Sequence, residues 1–215
     1  MPIQFLFDYL SPYSYIAWTQ IQDLAKRYHR SIEPRPVLLA GLLNATGQKG
    51  PAEVEAERLY IFKDICRTAQ FLGIPFSPPP FHPFNPLLAL RISSLPLEPK
   101  IQLKIVDNLF ATVWGEGKEI SDRNTIYTLL ISMGLDGNAL IEQAETVESK
   151  TRLKTNTEKA LEVGIFGVPS ILVEGELFWG YESFQNLERF LQGHREIDIK
   201  LFERWKNIKP SATRK

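Results

Sequence analysis

A chain of 215 residues, 44% of them hydrophobic and 23% charged, has the length and composition of one folded domain, or of a domain carrying an insert, and not of a disordered or fibrous protein. Lys plus Arg and Asp plus Glu number 25 each, so no overall field draws the chain to nucleic acid or to an anionic bilayer. One cysteine excludes an intrachain disulfide and a Cys-x-x-Cys redox pair, and three histidines without ligand spacing predict no metal site.

The segment Ile3 to Asp8 reads as a strand with Phe5 and Phe7 on one face and Leu6 on the other, the two-sided apolar character of a strand between helical layers. Pro12 suits a first helical turn with Ser11 as its N-cap, and Ala17, Ile21, Leu24 and Tyr28 follow at amphipathic spacing. Ser31 to Val37 is a short second strand, placed at a sheet edge by Pro34 and Pro36. Strand, helix, strand is the opening of a mostly parallel sheet.

From Leu38 to Gly164 the pattern turns helical. Helices are predicted over Ala52 to Phe71, around Leu87 to Leu90, over Pro99 to Trp114, from Asp122 to Gly134, from Asp136 or Gly137, and over Ser149 to Val163. Cys66 lies in the first of these and is expected to pack there, and Ser77-Pro78-Pro79-Pro80-Phe81 is a stiff connection. Strand periodicity returns at Ser170, with a hairpin through Glu174-Gly175-Glu176 into Leu177-Phe178-Trp179, then a helix marked by Phe184, Leu187 and Leu191. Residues 1–37 and 165–208 are therefore expected to form one sheet domain, 38–164 a helical insertion, and 209–215 a flexible tail. The N-terminus has no leader pattern and no stretch approaches the roughly 20 apolar residues of a membrane span, which makes the cytoplasm the expected location.

Two places can carry chemistry. Ser11 stands where a strand hands over to a helix, where unpaired N–H groups and the positive helix end favour an anion; it reads either as a plain N-cap or as a donor to a bound thiolate or oxyanion. The second is Gly164-Ile165-Phe166-Gly167-Val168-Pro169-Ser170, where Pro169 biases Val168 to an extended backbone that can pair with a peptide. Glu182, at the start of the last helix, suits the helix dipole with or without a ligand. Trp114, Trp179 and Tyr60 read either as packing residues or as the lining of an aromatic pocket.

Phe7-Asp8-Tyr9-Leu10-Ser11-Pro12-Tyr13-Ser14-Tyr15, Arg35-Pro36-Val37-Leu38-Leu39, Asp64 with Arg67, Thr157-Glu158-Lys159-Ala160, the Gly164 to Ser170 run and Phe178-Trp179-Gly180 together span nearly the whole chain. In them the chain resembles the glutathione-dependent 2-hydroxychromene-2-carboxylate isomerases and kappa-class glutathione transferases. The resemblance implies a thioredoxin-like α/β fold, a mixed sheet with a large helical insertion, and a cis bond at Val168-Pro169. It implies Ser11 as the catalytic residue holding the glutathione thiolate, Val168 pairing through its backbone with the cysteinyl part, and Gln48, Tyr181 and Glu182 as further glutathione-binding positions. A small aromatic or hydrophobic substrate and a homodimer are implied as partners. The chain departs from the family pattern at Gln48, where asparagine is usual, at Glu57 for a lysine, and at Ser183 for an arginine.

Overall fold

The computed structural model describes residues 1–212. Four strands, β1 (Ile3–Phe7), β2 (Ile32–Pro36), β3 (Ser170–Val173) and β4 (Glu176–Trp179), form one sheet in the order β2-β1-β3-β4. The sheet is mixed: β1 pairs with β2 in parallel, whereas β1 with β3 and β3 with β4 are antiparallel. This is the mixed sheet that the resemblance implied, and it corrects only the mostly parallel sheet that the opening unit taken alone suggested. The chain re-enters beside β1 after the helical run, and the tight β3–β4 turn then forces an antiparallel hairpin.

The edge position of β2 is as expected. Ile3 N–H donates to Ser31 O and Val37 N–H to Phe7 O, which puts the odd-numbered residues of β2 in the ladder. Pro34 and Pro36 fall on the open side, where a missing N–H costs no ladder bond and offers none to a stray strand.

Side-chain alternation assigns the two faces of the sheet. Phe5, Phe7, Ile171 and Val173 point to the larger core with Trp18 and Ile21 of α1 (Pro12–Arg27). Leu6 points the other way, to Val37, Leu42, Ala160 and Ile165. The second face is therefore covered by α2 (Leu39–Thr46) and by α8 (Val147–Glu162), the helix that leads back into β3. Between them run α3 (Glu55–Leu72), α4 (Leu87–Ser93), α5 (Pro99–Phe110), α6 (Arg123–Ser132) and α7 (Gly137–Glu145).

Phe110, at the end of α5, inserts among Phe7, Tyr9 and Trp18 with ring centroids 5.3, 4.7 and 6.1 Å away. The helical run and the sheet thus share one aromatic core. Beyond Phe110 the helix widens over Ala111–Gly115, Glu116 N–H reaching back five residues to Ala111 O, and this turn aims Trp114 at the end of β1.

After β4, α9 (Phe184–Leu191) packs through Leu187, and Glu188 meets Arg27 of α1 and Tyr28, which caps its C-terminus. The sequence pattern did not mark α10 (Ile199–Lys206), which has no buried residue. Residues 209–212 are exposed and irregular; the rest of the expected tail, 213–215, lies outside the described residues. No helix among the described residues is long and apolar enough to cross a membrane.

Candidate active site

The β1–α1 turn is held at almost every polar atom. Asp8 is 1% exposed, and its carboxylate accepts the Leu10 N–H at 3.0 Å and the Leu39 N–H at 2.9 Å, tying the end of β1 to the start of α2. Trp114 Nε1–H donates to Tyr9 O at 2.8 Å, and the Ser11 N–H returns to Asp8 O at 3.1 Å. His82, from the proline-rich connection, lies 2.9 Å from Leu10 O through Nε2. The side chains of Asp8, just past β1, and of two residues of the helical run thus fix the two peptides between Tyr9 and Ser11.

Ser11 is the N-cap of α1, with an extended backbone at φ −91° and ψ 110°. Its Oγ accepts the Ser14 N–H at 3.2 Å, and its hydroxyl approaches Val168 O at a long 3.5 Å. The oxygen is therefore engaged as an acceptor while its proton is only loosely held, which leaves an O–H donor at the positive end of a 16-residue helix. An anion seated there meets one hydroxyl donor and the helix terminus.

The segments that meet Ser11 come from the far end of the sequence. Val168 precedes Pro169 through a cis peptide bond, in the loop entering β3. Ser170 Oγ donates to Gly167 O at 2.7 Å and Gly180 N–H to Pro169 O at 2.9 Å, which set the shape of this loop. Gly167 lies so close to the Trp179 indole that a Cβ would stand 3.0 Å from Nε1.

Tyr181 and Tyr13 both pack against the cluster of Ile16, Ile65 and Ala69. The exposed Glu182 acts on the Tyr13 hydroxyl, which donates to Asp64 Oδ2 at 2.9 Å; burial and the adjacent Asp64 carboxylate push its pKa up. An acidic corner, Asp64 with Glu182, therefore flanks the start of α1.

The structure brings Ser11 and Val168 into contact and sets Tyr181 and Glu182 against the same helix. Gln48 stands apart, in the exposed stretch after α2, and its side chain has no hydrogen bond to any of these among the described residues. Glu57 is exposed in the first turn of α3. Cys66 does not pack as expected: it lies exposed on α3, because the buried stripe of that helix runs through Ile65 and Ala69 instead. Trp114 is fully buried, while Trp179 and Tyr60 are 54% and 64% exposed.

The sequence carried no signal for the parts played by Asp8 and His82 at the turn or by Asp64 at the Tyr13 hydroxyl, since each acts on an atom distant in sequence or on backbone. Asp8 has a measurable consequence. Burial raises its pKa from 3.8 to about 6 against the opposing pull of two N–H donors. The folded protein then keeps a proton that the unfolded chain has released, so this group's contribution to stability falls as pH rises between about 4 and 6 and is level above. The expected loss is roughly 3 kcal/mol. Denaturant unfolding at several pH values should show that fall in the wild type and a flatter profile in Asp8→Asn.

Strand order, the cis proline loop beside a helix N-terminus and the inserted helices define a thioredoxin-like α/β protein. The chain belongs to the family of DSBA-like thioredoxin domains, whose model matches residues 2–192. It is 28% identical over 192 residues to the 2-hydroxychromene-2-carboxylate isomerase of Sphingobium xenophagum, covering 88% of this chain and 97% of the relative. It is 25% identical over 214 residues to glutathione S-transferase kappa 1 of Caenorhabditis elegans, covering 93% and 95%. A solved structure of a 2-hydroxychromene-2-carboxylate isomerase superposes with a TM-score of 0.84 at 24% identity, over 98% of this chain and 100% of that one.

Proposed function

We propose that this chain is a glutathione-dependent enzyme in which the Ser11 hydroxyl, at the start of α1, holds the tripeptide's sulfur as a thiolate. The observation that carries the reading is the Ser11 hydroxyl, held only loosely by Val168 O at 3.5 Å, in a chain whose single cysteine stands exposed on α3. A thiolate site without a thiol of its own calls for a borrowed one. Val168 then pairs with the cysteinyl backbone of glutathione. Tyr181 and Glu182 take the γ-glutamyl end, the Glu182 carboxylate meeting its ammonium, and Gln48 contacts the tripeptide from the loop after α2. Curated relatives named as a glutathione transferase and as a chromene-carboxylate isomerase support this reading.

The reaction we assign is isomerisation of an unsaturated, aromatic-derived carboxylic acid of the 2-hydroxychromene-2-carboxylate kind. Opening of the hemiketal ring frees a ketone conjugated with the double bond; the thiolate then adds to that double bond, forming C–S and moving the π electrons onto the ketone oxygen. Rotation about the new single bond follows, and the electrons return to expel the thiolate and restore the double bond. Substrate and product have equal mass, and glutathione is regenerated. The site's task is to keep sulfur ionised below the usual thiol pKa of about 8.5, and a hydrogen bond plus the helix terminus act in that direction.

The match to a kappa-class transferase over nearly the full chain favours a second reading, in which the thiolate displaces a leaving group or adds irreversibly to an electrophile. Mass spectrometry after incubation with the chromene acid, with and without glutathione, separates the two. The expected product has unchanged mass and appears only with glutathione present. A product heavier by one glutathione assigns the transferase, and failure of the folded protein to bind glutathione removes both and leaves a thioredoxin-like peptide-binding protein.

A further inference from the structure

Leu10, the residue before Ser11, is gripped on both sides. Its N–H goes to the Asp8 carboxylate, within the same turn, while its C=O is met by a side chain 72 residues away, His82 Nε2 at 2.9 Å. A carbonyl oxygen only accepts, so Nε2 carries the hydrogen. The other ring nitrogen, Nδ1, is shielded from solvent and has no hydrogen-bond partner among the described residues. The ring is packed against Phe62, Phe84 and Trp114, with centroids 5.2, 6.2 and 5.6 Å away. A proton on Nδ1 would be a buried donor among aromatic rings, and burial together with the Arg58 charge on α3 opposes it. The imidazole is held as one neutral tautomer, with its only donor spent on the backbone that leads into Ser11.

We infer that His82 is a positioning residue for Ser11: its Nε2–H bond to Leu10 O latches the connection between α3 and α4 onto the β1–α1 turn and sets the Ser11 hydroxyl for the bound sulfur. Trp114 supplies the neighbouring bond to Tyr9 O, so two adjacent carbonyls are fixed by side chains of the helical run. The grip on Leu10 is nonetheless separable, because His82 is only part-buried and removing its ring nitrogens leaves the tryptophan bond intact. Without the latch, the Leu10 peptide turns toward water and the N-cap geometry of Ser11 loosens.

This role in catalysis rests on Ser11 being the thiolate donor, whereas the latch itself is a property of the ligand-free protein, and the two are measured separately. The variants are His82→Leu, which keeps bulk and loses both nitrogens, and His82→Gln, whose amide Nε2 reaches the same point as the ring Nε2–H. In ligand-free protein, nitrogen-15 spectra should show His82 protonated at Nε2 and bare at Nδ1. The Ser14 amide, which bonds Ser11 Oγ, should exchange about tenfold faster in His82→Leu and near the wild-type rate in His82→Gln. With glutathione bound, the thiol pKa should rise by about one unit in His82→Leu, leaving about tenfold less thiolate at neutral pH, and be restored in His82→Gln.

Equal Ser14 exchange in all three proteins, or acceleration of every amide alike in His82→Leu, would overturn the latch. Ser14 exchange that responds as expected while no form binds glutathione would remove the proposed function and leave the latch standing. A thiol pKa that is the same in all three proteins would overturn the role assigned to His82 in catalysis.

Discussion

Ser11→Ala should lower turnover of the glutathione-dependent reaction about 100-fold at neutral pH while leaving a folded protein. Two effects combine, and they can be separated. Losing the side-chain oxygen leaves the Ser14 N–H only its 3.0 Å bond to Ser11 O and costs about 1 kcal/mol of helix stability, the usual loss for an N-cap serine. Losing the hydroxyl proton removes a hydrogen bond to an ion, worth about 1.5–3 kcal/mol, and one such donor at a developing or resident anion accounts for about 10²–10³ in rate. The bound thiol pKa should therefore rise by about one to two units, which titration of thiolate absorbance reads directly. Binding of the tripeptide, which we assign to Val168, Gln48, Tyr181 and Glu182, should weaken far less. If the sulfur ionises at the same pH in Ser11→Ala as in the wild type, the hydroxyl is a helix cap and nothing more.

The largest loss of stability is expected at Trp114, where α5 is joined to the end of β1. The indole is fully buried, lies parallel to Phe76 at 5.9 Å between centroids, and gives its N–H to Tyr9 O. Trp114→Ala should cost about 3–5 kcal/mol for the cavity, with about 1–3 kcal/mol more for the orphaned Tyr9 carbonyl. At 215 residues this lowers Tm by roughly 10 °C or more. Trp114→Phe keeps most of the packing and loses the hydrogen bond, so its smaller loss, about 1–3 kcal/mol, isolates that bond. Because the bond holds the peptide two residues before Ser11, Trp114→Phe should also raise the bound thiol pKa. Denaturant unfolding beside the thiolate titration checks both, and a tryptophan serving only as packing would leave the pKa unmoved.

How far the sequence could be read depends on the range of the interactions involved. The Ser11 cap, the Pro12 start and the amphipathic run of α1 are written within a few residues of one another, and α1 forms where the pattern places it. Alternation in Ile3 to Phe7 and Ser170 to Val173 similarly marks which side chains enter which core, because side-chain direction in a strand follows from parity alone. The prolines of β2 announced an edge through their missing donors. Periodicity was weaker in α3, where only Ile65 and Ala69 are buried, and there it misplaced Cys66.

By itself, then, the sequence determined the strands, most of the helices, the edge of the sheet and the helix start that carries Ser11, all consequences of local backbone chemistry and side-chain parity. Only the tertiary structure decided that β3 runs antiparallel to β1, that Val168 O lies beside the Ser11 hydroxyl across 157 residues, and that His82 and Trp114 grip the backbone leading to it. Those facts depend on which surfaces close together when the aromatic core around Phe110 is buried. Hydrogen bonds to backbone carbonyls leave no mark on the residue that receives them, since every residue offers the same C=O.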